Sequence, residues 1–262
     1  MAHRGKRYRA AYEKIDRTRA YPPAEAIRLL KEAGAARSAS FDETVELHIR
    51  LGVNVRHAEE QLRGTLALPG GLGKDVSVAV FAEGDQAKAA TEAGADFVGS
   101  DDLAEKVGGG WTDFDVAIAH PSQMPKVGKL GRVLGPQGKM PNPKVGTVTD
   151  DIAKAVEEAK AGKVEYRTDR QAIVHLSIGK LSFDESALLE NYAAVIEEII
   201  RAKPASAKGR YILSVTLTTT MGPGIRVDPN ITRRAEIIAG AGQLSANGDG
   251  EEAAPAEEPA TA

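Results

Sequence analysis

Between Val76 and Ala82 the chain reads VSVAVFA, a near-continuous apolar run, whereas Thr44–Leu51 reads TVELHIRL and alternates. A strand that is apolar on both faces must be covered on both faces, the condition of a parallel sheet held between helices. The alternating strand places Val45, Leu47, Ile49 and Leu51 on one face and Glu46, His48 and Arg50 on the other, so only one face packs. The two kinds of strand read as different parts of the fold. They point to two units with different layer rules.

The order of the segments says how the two units are threaded. A helical stripe (Ile27, Leu29, Leu30, Ala33) follows Pro22-Pro23, and the alternating strand comes next, then a short helix near His57–Leu62 and a strand at Thr65–Leu68. Pro69-Gly70-Gly71-Leu72-Gly73 breaks the pattern. After it, Val76–Ala82, Asp85–Ala93, Asp96–Val98, Asp101–Val107 and Asp115–Ala119 read as β-α-β-α-β, closed by a helix over Asp150–Lys160. At Ala161-Gly162 the first style returns. Val164–Arg167 and Ala172–Ile178 read as two strands joined by a turn at Thr168–Gln171. A capping box at Ser182–Glu185 opens a long helix, and a last strand spans Arg210–Thr220. The expected fold is mixed α/β and α+β. A split α+β sandwich domain comes from both chain ends, residues 1–69 and 162–229. A three-layer, Rossmann-like α/β domain is inserted at 70–161, and a tail follows at 230–262. The two adjacent crossings, near Gly70 and Gly162, form a natural hinge.

Charge is clustered rather than abundant. The net charge is −3, yet five acids and no base lie between Asn247 and Ala262, so the rest of the chain is net positive. The first 19 residues hold seven bases against two acids, and that arm is expected to order only against a partner. Between His120 and Thr149 stand Lys126, Lys129, Arg132, Lys139 and Lys144 with no acid. Such clusters suit a polyanion. The chain has no cysteine, which excludes disulfides and thiol chemistry, and its five histidines form no HExxH or paired-helix motif, so neither a metal nor a cofactor is expected. No apolar run approaches the roughly 20 residues that span a bilayer, and the N-terminus has no secretory signal, so a cytoplasmic location is expected and no membrane partner.

Three segments carry chemistry. Lys126–Val148, KVGKLGRVLGPQGKMPNPKVGTV, reads as a glycine-rich basic loop in which prolines oppose helix and strand, suited to close backbone approach to phosphate. It is not a nucleotide-hydrolysing loop: counting back from Gly138-Lys139, the first glycine falls on Val133, and Met140 replaces the magnesium-binding hydroxyl. In RYILSVTLTTTMGPG, Tyr211, Leu213, Val215 and Leu217 share one face, while Ser214, Thr216, Thr218 and Thr220 offer hydroxyls to RNA riboses and phosphates from the other. Met221-Gly222 then makes a turn with an apolar tip. Phe41, just before the alternating strand, is a candidate for stacking on a base, and Asp169-Arg170 sits at a polar hairpin tip. Each segment also has a bland reading as solvated surface. No acid–base pair or nucleophile elbow is evident.

Taken together these segments resemble the ribosomal protein L-one family, bacterial type. The resemblance is carried by HRGKRYR (His3–Arg9), FDETVE (Phe41–Glu46), Arg63-Gly64, Leu68-Pro69 with GLGK (Gly71–Lys74), GAD (Gly94–Asp96), KLGRVLGPQGKMPNPK (Lys129–Lys144), Gly146-Thr147-Val148 and TTTMGPG (Thr218–Gly224). It implies a large-subunit protein that binds the ribosomal RNA of the mobile stalk and assists release of deacylated tRNA on the exit side. It also implies translational repression through a similar structure on the protein's own messenger RNA. The implied RNA contacts fall on Phe41, Thr44, Asp169, Arg170, Ser214, Thr220, Met221 and Gly222, with Lys126, Lys129, Arg132, Lys139 and Lys144 as a secondary RNA surface. The sequence departs from the family at Ser40, where a lysine is usual, at Gln137 and Lys139, and at Ala172, which replaces a glycine after the hairpin turn. The acidic tail is outside the shared pattern. Two other readings compete: an α/β enzyme using the basic loop for a phosphorylated substrate, and a regulatory RNA-binding protein that never joins the ribosome.

Overall fold

Alternation and apolar runs become three separate sheets in a computed structural model that describes residues 5–37 and 39–238, the side chains of 36, 37, 58 and 144 excepted. In chain order the helices are α1 (Lys6–Glu13), α2 (Pro23–Arg37), α3 (Asp85–Glu92), α4 (Asp101–Gly108), α5 (Met124–Lys129), α6 (Gly131–Leu134), α7 (Ile152–Lys160) and α8 (Glu185–Arg201). The strands are β1 (Thr44–Leu51), β2 (Arg63–Ala67), β3 (Val78–Phe81), β4 (Phe97–Gly99), β5 (Val116–Ala119), β6 (Lys163–Arg167), β7 (Ile173–Lys180), β8 (Ile212–Thr219) and β9 (Ile225–Val227). The acidic segment 247–262 lies outside the described residues.

Strands from both chain ends make an antiparallel sheet in the order β7-β1-β8-β9. Its inner face carries Val45, Leu47, Ile49 and Leu51, all at most 2% exposed, against α2 and α8. Helix α8 buries Leu188, Leu189, Tyr192, Val195, Ile196 and Ile199 on that sheet, each contributing about 1.5–3 kcal/mol. The apolar run gives a different result. β3 is buried throughout and is the middle of a parallel sheet, β4-β3-β5. Ala79 and Phe81 pack with α4, α5 and α6 on one side, and Val78 and Val80 with α3 and α7 on the other, so the unit has three layers.

Between these bodies the chain passes twice at close quarters. A methyl on Gly162, whose φ is +95°, would stand 3.3 Å from Gly71 Cα. The buried Asn191 side chain on α8 fastens the first crossing: its Oδ1 accepts from Gly70 N–H at 2.8 Å, and its Nδ2 donates to the carbonyls of Gly71 (3.1 Å) and Ile178 (2.7 Å).

Several expectations are corrected. The two strands around Thr168–Gln171 are joined by that turn but share only the antiparallel Thr168–Val174 bridge: β6 otherwise pairs with β2 and β7 with β1. The capping box does not form, because Ser182 Oγ donates to Asp42 Oδ2 at 2.7 Å instead of capping α8. The basic arm is not structureless over its described part. α1 buries Ala11, and Ile15 joins the core, which anchors residues 6–15. The glycine- and proline-rich segment is not an extended loop. Val127, Leu130 and Leu134 recur at helical spacing and are buried, so α5 and α6 form, and left-handed backbone is confined to Gly138 and Gly146. Finally, Leu213 is not on the apolar face. The register shifts between Arg50 and Leu51, which pair with Ser214 and Ile212 respectively. Leu213 is the extra residue, left 41% exposed, and Ile212 takes the inner position.

Candidate nucleic-acid interface

The outer face of the four-stranded sheet carries the side chains that alternation turned away from the core, with α1 flanking it beside Thr216 and Arg226. Register sets the rows: Glu46 opposite Thr218, His48 between His175 and Thr216, Arg50 opposite Ser214, and Arg226 beside Thr216. From Thr44 to Arg50 this strip is about 20 Å long.

The residues singled out from the sequence gather at its two ends. At one end are Phe41, Thr44, Thr220, Met221 and Gly222. Phe41 is 51% exposed and Met221 58%, two large apolar side chains that the core leaves uncovered. Buried Glu43 joins them: its Oε2 accepts from Met221 N–H at 3.2 Å, and its carbonyl accepts from Leu181 N–H at 2.8 Å. Gly222 is required by crowding, since an added Cβ would stand 2.2 Å from Thr219 Oγ1. Thr220 is engaged within the protein. Its Oγ1 accepts from Thr44 N–H at 3.1 Å and lies 3.3 Å from the Thr44 carbonyl, so the hydroxyl closes the β1–β8 ladder. The Thr44 hydroxyl in turn accepts from Lys180 Nζ at 2.9 Å.

At the other end stand Ser214, Asp169 and Arg170. Asp169 shapes its own turn, accepting from Ile173 N–H (2.7 Å) and Gln171 N–H (2.8 Å). Burial pushes its carboxyl up, but these donors outweigh burial and hold it below the ordinary carboxylate value. Ala172 takes φ +60°, the one positive φ among described non-glycine residues, and its carbonyl accepts from Leu51 N–H at 2.8 Å. The glycine-like turn is thus kept by an alanine under strain. Beside it, Arg56, Arg167, Arg170 and Asp169 line an open groove of about 670 Å³, a cationic surface suited to phosphate. A second groove of about 390 Å³ runs between α1 and the sheet, lined by Tyr8, Tyr12, Arg17, Thr216 and Arg226.

Arg56, Arg167, Arg226 and Glu43 had not been singled out. Their signal was weak. Arg226 lies on a three-residue strand after Gly-Pro-Gly, and Arg56 and Arg167 are more than a hundred residues apart in sequence.

The secondary surface is divided. Lys126 Nζ donates to Glu83 (2.8 Å), Asp101 (2.9 Å) and Ser100 (3.0 Å), and the hydrogen bond from Lys126 is the main cause that pulls the Glu83 carboxyl down to about 2. Lys139 Nζ donates to the Thr112 carbonyl at 2.9 Å and lies 5.3 Å from the centre of the Phe114 ring. Lys129 and Arg132 are exposed. The Lys144 side chain lies outside the described residues. Among the described residues no helix is long and apolar enough to cross a membrane.

The sequence pattern of the Ribosomal protein L1p/L10e family matches residues 29–223. The chain is 58% identical over 236 residues to the Large ribosomal subunit protein uL1 of Thermobifida fusca (strain YX), covering 90% of this chain and 99% of that one. It is 58% identical over 233 residues to the protein of the same name from Mycobacterium leprae (strain Br4923), with 89% and 98% covered. With the protein of that name from Corynebacterium glutamicum (strain R) it shares 55% over 233 residues, with 89% and 98% covered. These relatives are by name ribosomal proteins, and the reading of the basic segment as an enzyme's phosphate loop gives way to them. The chain belongs to the Ribosomal protein L1p/L10e family.

Proposed function

We propose that this chain is a structural protein of the large ribosomal subunit that binds the ribosomal RNA of the mobile stalk through the outer face of its four-stranded sheet. The observation that carries this reading is that Phe41 and Met221 are both exposed at one end of a polar strip, where buried Glu43, two residues after Phe41, accepts from Met221 N–H. An aromatic ring there stacks on a base or ribose. The Met221-Gly222 turn lies against the backbone, and the cationic groove of Arg56, Arg167 and Arg170 takes phosphates at the far end. Exposed Lys129 and Arg132 supply the secondary surface on the inserted unit.

Residues 1–69 and 162–229 serve as the anchoring domain, and residues 70–161 swing on the crossings at Gly70–Gly71 and Gly162. Asn191 holds the anchor side of the first crossing through Gly70 N–H and the Gly71 carbonyl, so bending at that crossing begins after Gly71. That motion lets the stalk accompany deacylated tRNA as it leaves on the exit side. The same strip binds a similar fold on the chain's own messenger RNA and represses its translation. The tRNA and messenger roles follow from the family resemblance. The tail 230–262 is assigned no part in this binding.

The experiment is binding of the purified chain to a stalk RNA fragment and to an unrelated structured RNA across a salt series, for wild type and Phe41→Ala. Selective binding that survives physiological salt and is weakened by the substitution supports the reading. Equal, salt-labile binding to both RNAs would reduce it to nonspecific charge attraction.

A further inference from the structure

His48 and His175 are 127 residues apart in sequence, yet they face each other across the β1–β7 ladder in the middle of the polar strip. Their Nδ1 atoms are 2.9 Å apart, with ring centres at 5.0 Å and planes at 65°. The outward nitrogens each meet a carboxylate: His48 Nε2 is 3.6 Å from Glu46 Oε2, and His175 Nε2 is 3.5 Å from Asp169 Oδ2. A carboxylate beside one ring nitrogen favours the proton on that nitrogen and leaves a lone pair on the other. A neutral imidazole has one ring proton only. Either one Nδ1–H donates to the other Nδ1 across 2.9 Å, or both protons sit on Nε2 and both Nδ1 lone pairs are open to one ion. Two nitrogens each about 2.0–2.1 Å from one ion are about 2.9 Å apart in cis positions of a six-coordinate ion, against about 3.3 Å in a tetrahedral one.

We propose that the Nδ1 atoms of His48 and His175 chelate a borderline divalent transition-metal ion of the Zn²⁺ or Ni²⁺ kind on the sheet surface, with Glu46 and Asp169 orienting the rings. Imidazole suits these ions, and carboxylate-backed imidazole is a recurrent ligand arrangement. Both side chains are reachable from solvent, at 28% and 51% exposure. Among the described residues no group of three or more His, Cys, Asp or Glu is placed to hold a metal, so the protein supplies two ligands and leaves the other positions open. On the proposed RNA-binding face, a phosphate oxygen is the donor that fills one of them. That last step rests on the RNA reading; the chelate itself does not.

The test uses the full-length, untagged, chelator-stripped chain without RNA. Zn²⁺ and Ni²⁺ are titrated calorimetrically into wild type, His48→Ala, His175→Ala and Glu46→Gln, each checked by its thermal melt. One ion per chain is expected. Either histidine substitution should weaken binding well beyond tenfold, and Glu46→Gln by about tenfold, as for loss of an outer partner. In wild type, nitrogen-detected imidazole spectra should show Zn²⁺ shifting Nδ1 of both rings while Nε2 stays protonated. Equal affinity in wild type and both histidine variants, or Zn²⁺ on Nε2, would overturn the proposal. Repeating the titration with stalk RNA tests the phosphate step alone: a working chelate that RNA leaves unaltered would remove that step and keep the site.

Discussion

The outer face of the four-stranded sheet and the basic segment around α5 and α6 put polar groups on the surface by opposite routes. On the sheet, the groups come from stretches far apart in sequence, and β register holds them in rows along a strip. Around α5 and α6, five basic residues arrive in one short stretch, and helical packing then sorts them. Lys126 and Lys139 turn back onto the protein, whereas Lys129 and Arg132 face outward. Charge concentrated in sequence is therefore not the same as charge available to a partner. A period-2 strand presents every second side chain whatever its chemistry. A short amphipathic helix presents only what its apolar stripe does not draw inward.

That contrast can be broken at the sheet end first. Gly222→Val places a branched side chain where even a Cβ would collide with Thr219 Oγ1. Displacing the Met221 turn should cost about 3 kcal/mol, a hundredfold or more in stalk-RNA affinity, with the global melt little changed. Wild-type affinity in that variant would remove the turn from the interface. Phe41→Ala comes next, with a loss of about 1–3 kcal/mol in RNA affinity at constant stability, because the ring is half exposed. A lowered melting temperature with unchanged affinity would reassign the ring to the core.

Ala172→Gly tests whether the hairpin end is held under strain. Relief of the left-handed alanine, about 1–2 kcal/mol, is partly offset by the greater unfolded-state freedom of glycine, so a gain of about 0.5–1 kcal/mol is expected in urea unfolding. A lower midpoint would mean that burial of the methyl outweighs the strain. The smallest effect is on salt dependence. Lys129→Ala and Arg132→Ala should each reduce the log–log salt slope of RNA binding by about 0.7–0.9, and Lys126→Ala should leave it unaltered. Equal slopes for all three would mean that helical phase does not decide which charges are used.

The local periods of the chain were enough to assign most elements. The alternation at Thr44–Leu51 and the apolar run at Val76–Ala82 already required a half-covered sheet and a doubly covered one, because burial of each side chain follows from the repeat of its own strand. The motifs Phe41–Glu46 and Thr218–Gly224 likewise marked one end of the strip from sequence. Tertiary structure alone decided the rest, since each of those features depends on contacts between distant residues. The bulge that expels Leu213 exists only against β1, and the pairing of β6 with β2 only against a strand about a hundred residues away. Lys126 is neutralised by carboxylates from the β3–α3 connection and from α4. Glu43 binds the Met221 turn across 178 residues, and His48 meets His175 across 127. A local pattern fixes which way a side chain points. Which groups it meets is fixed by the register and packing of segments that no local pattern contains.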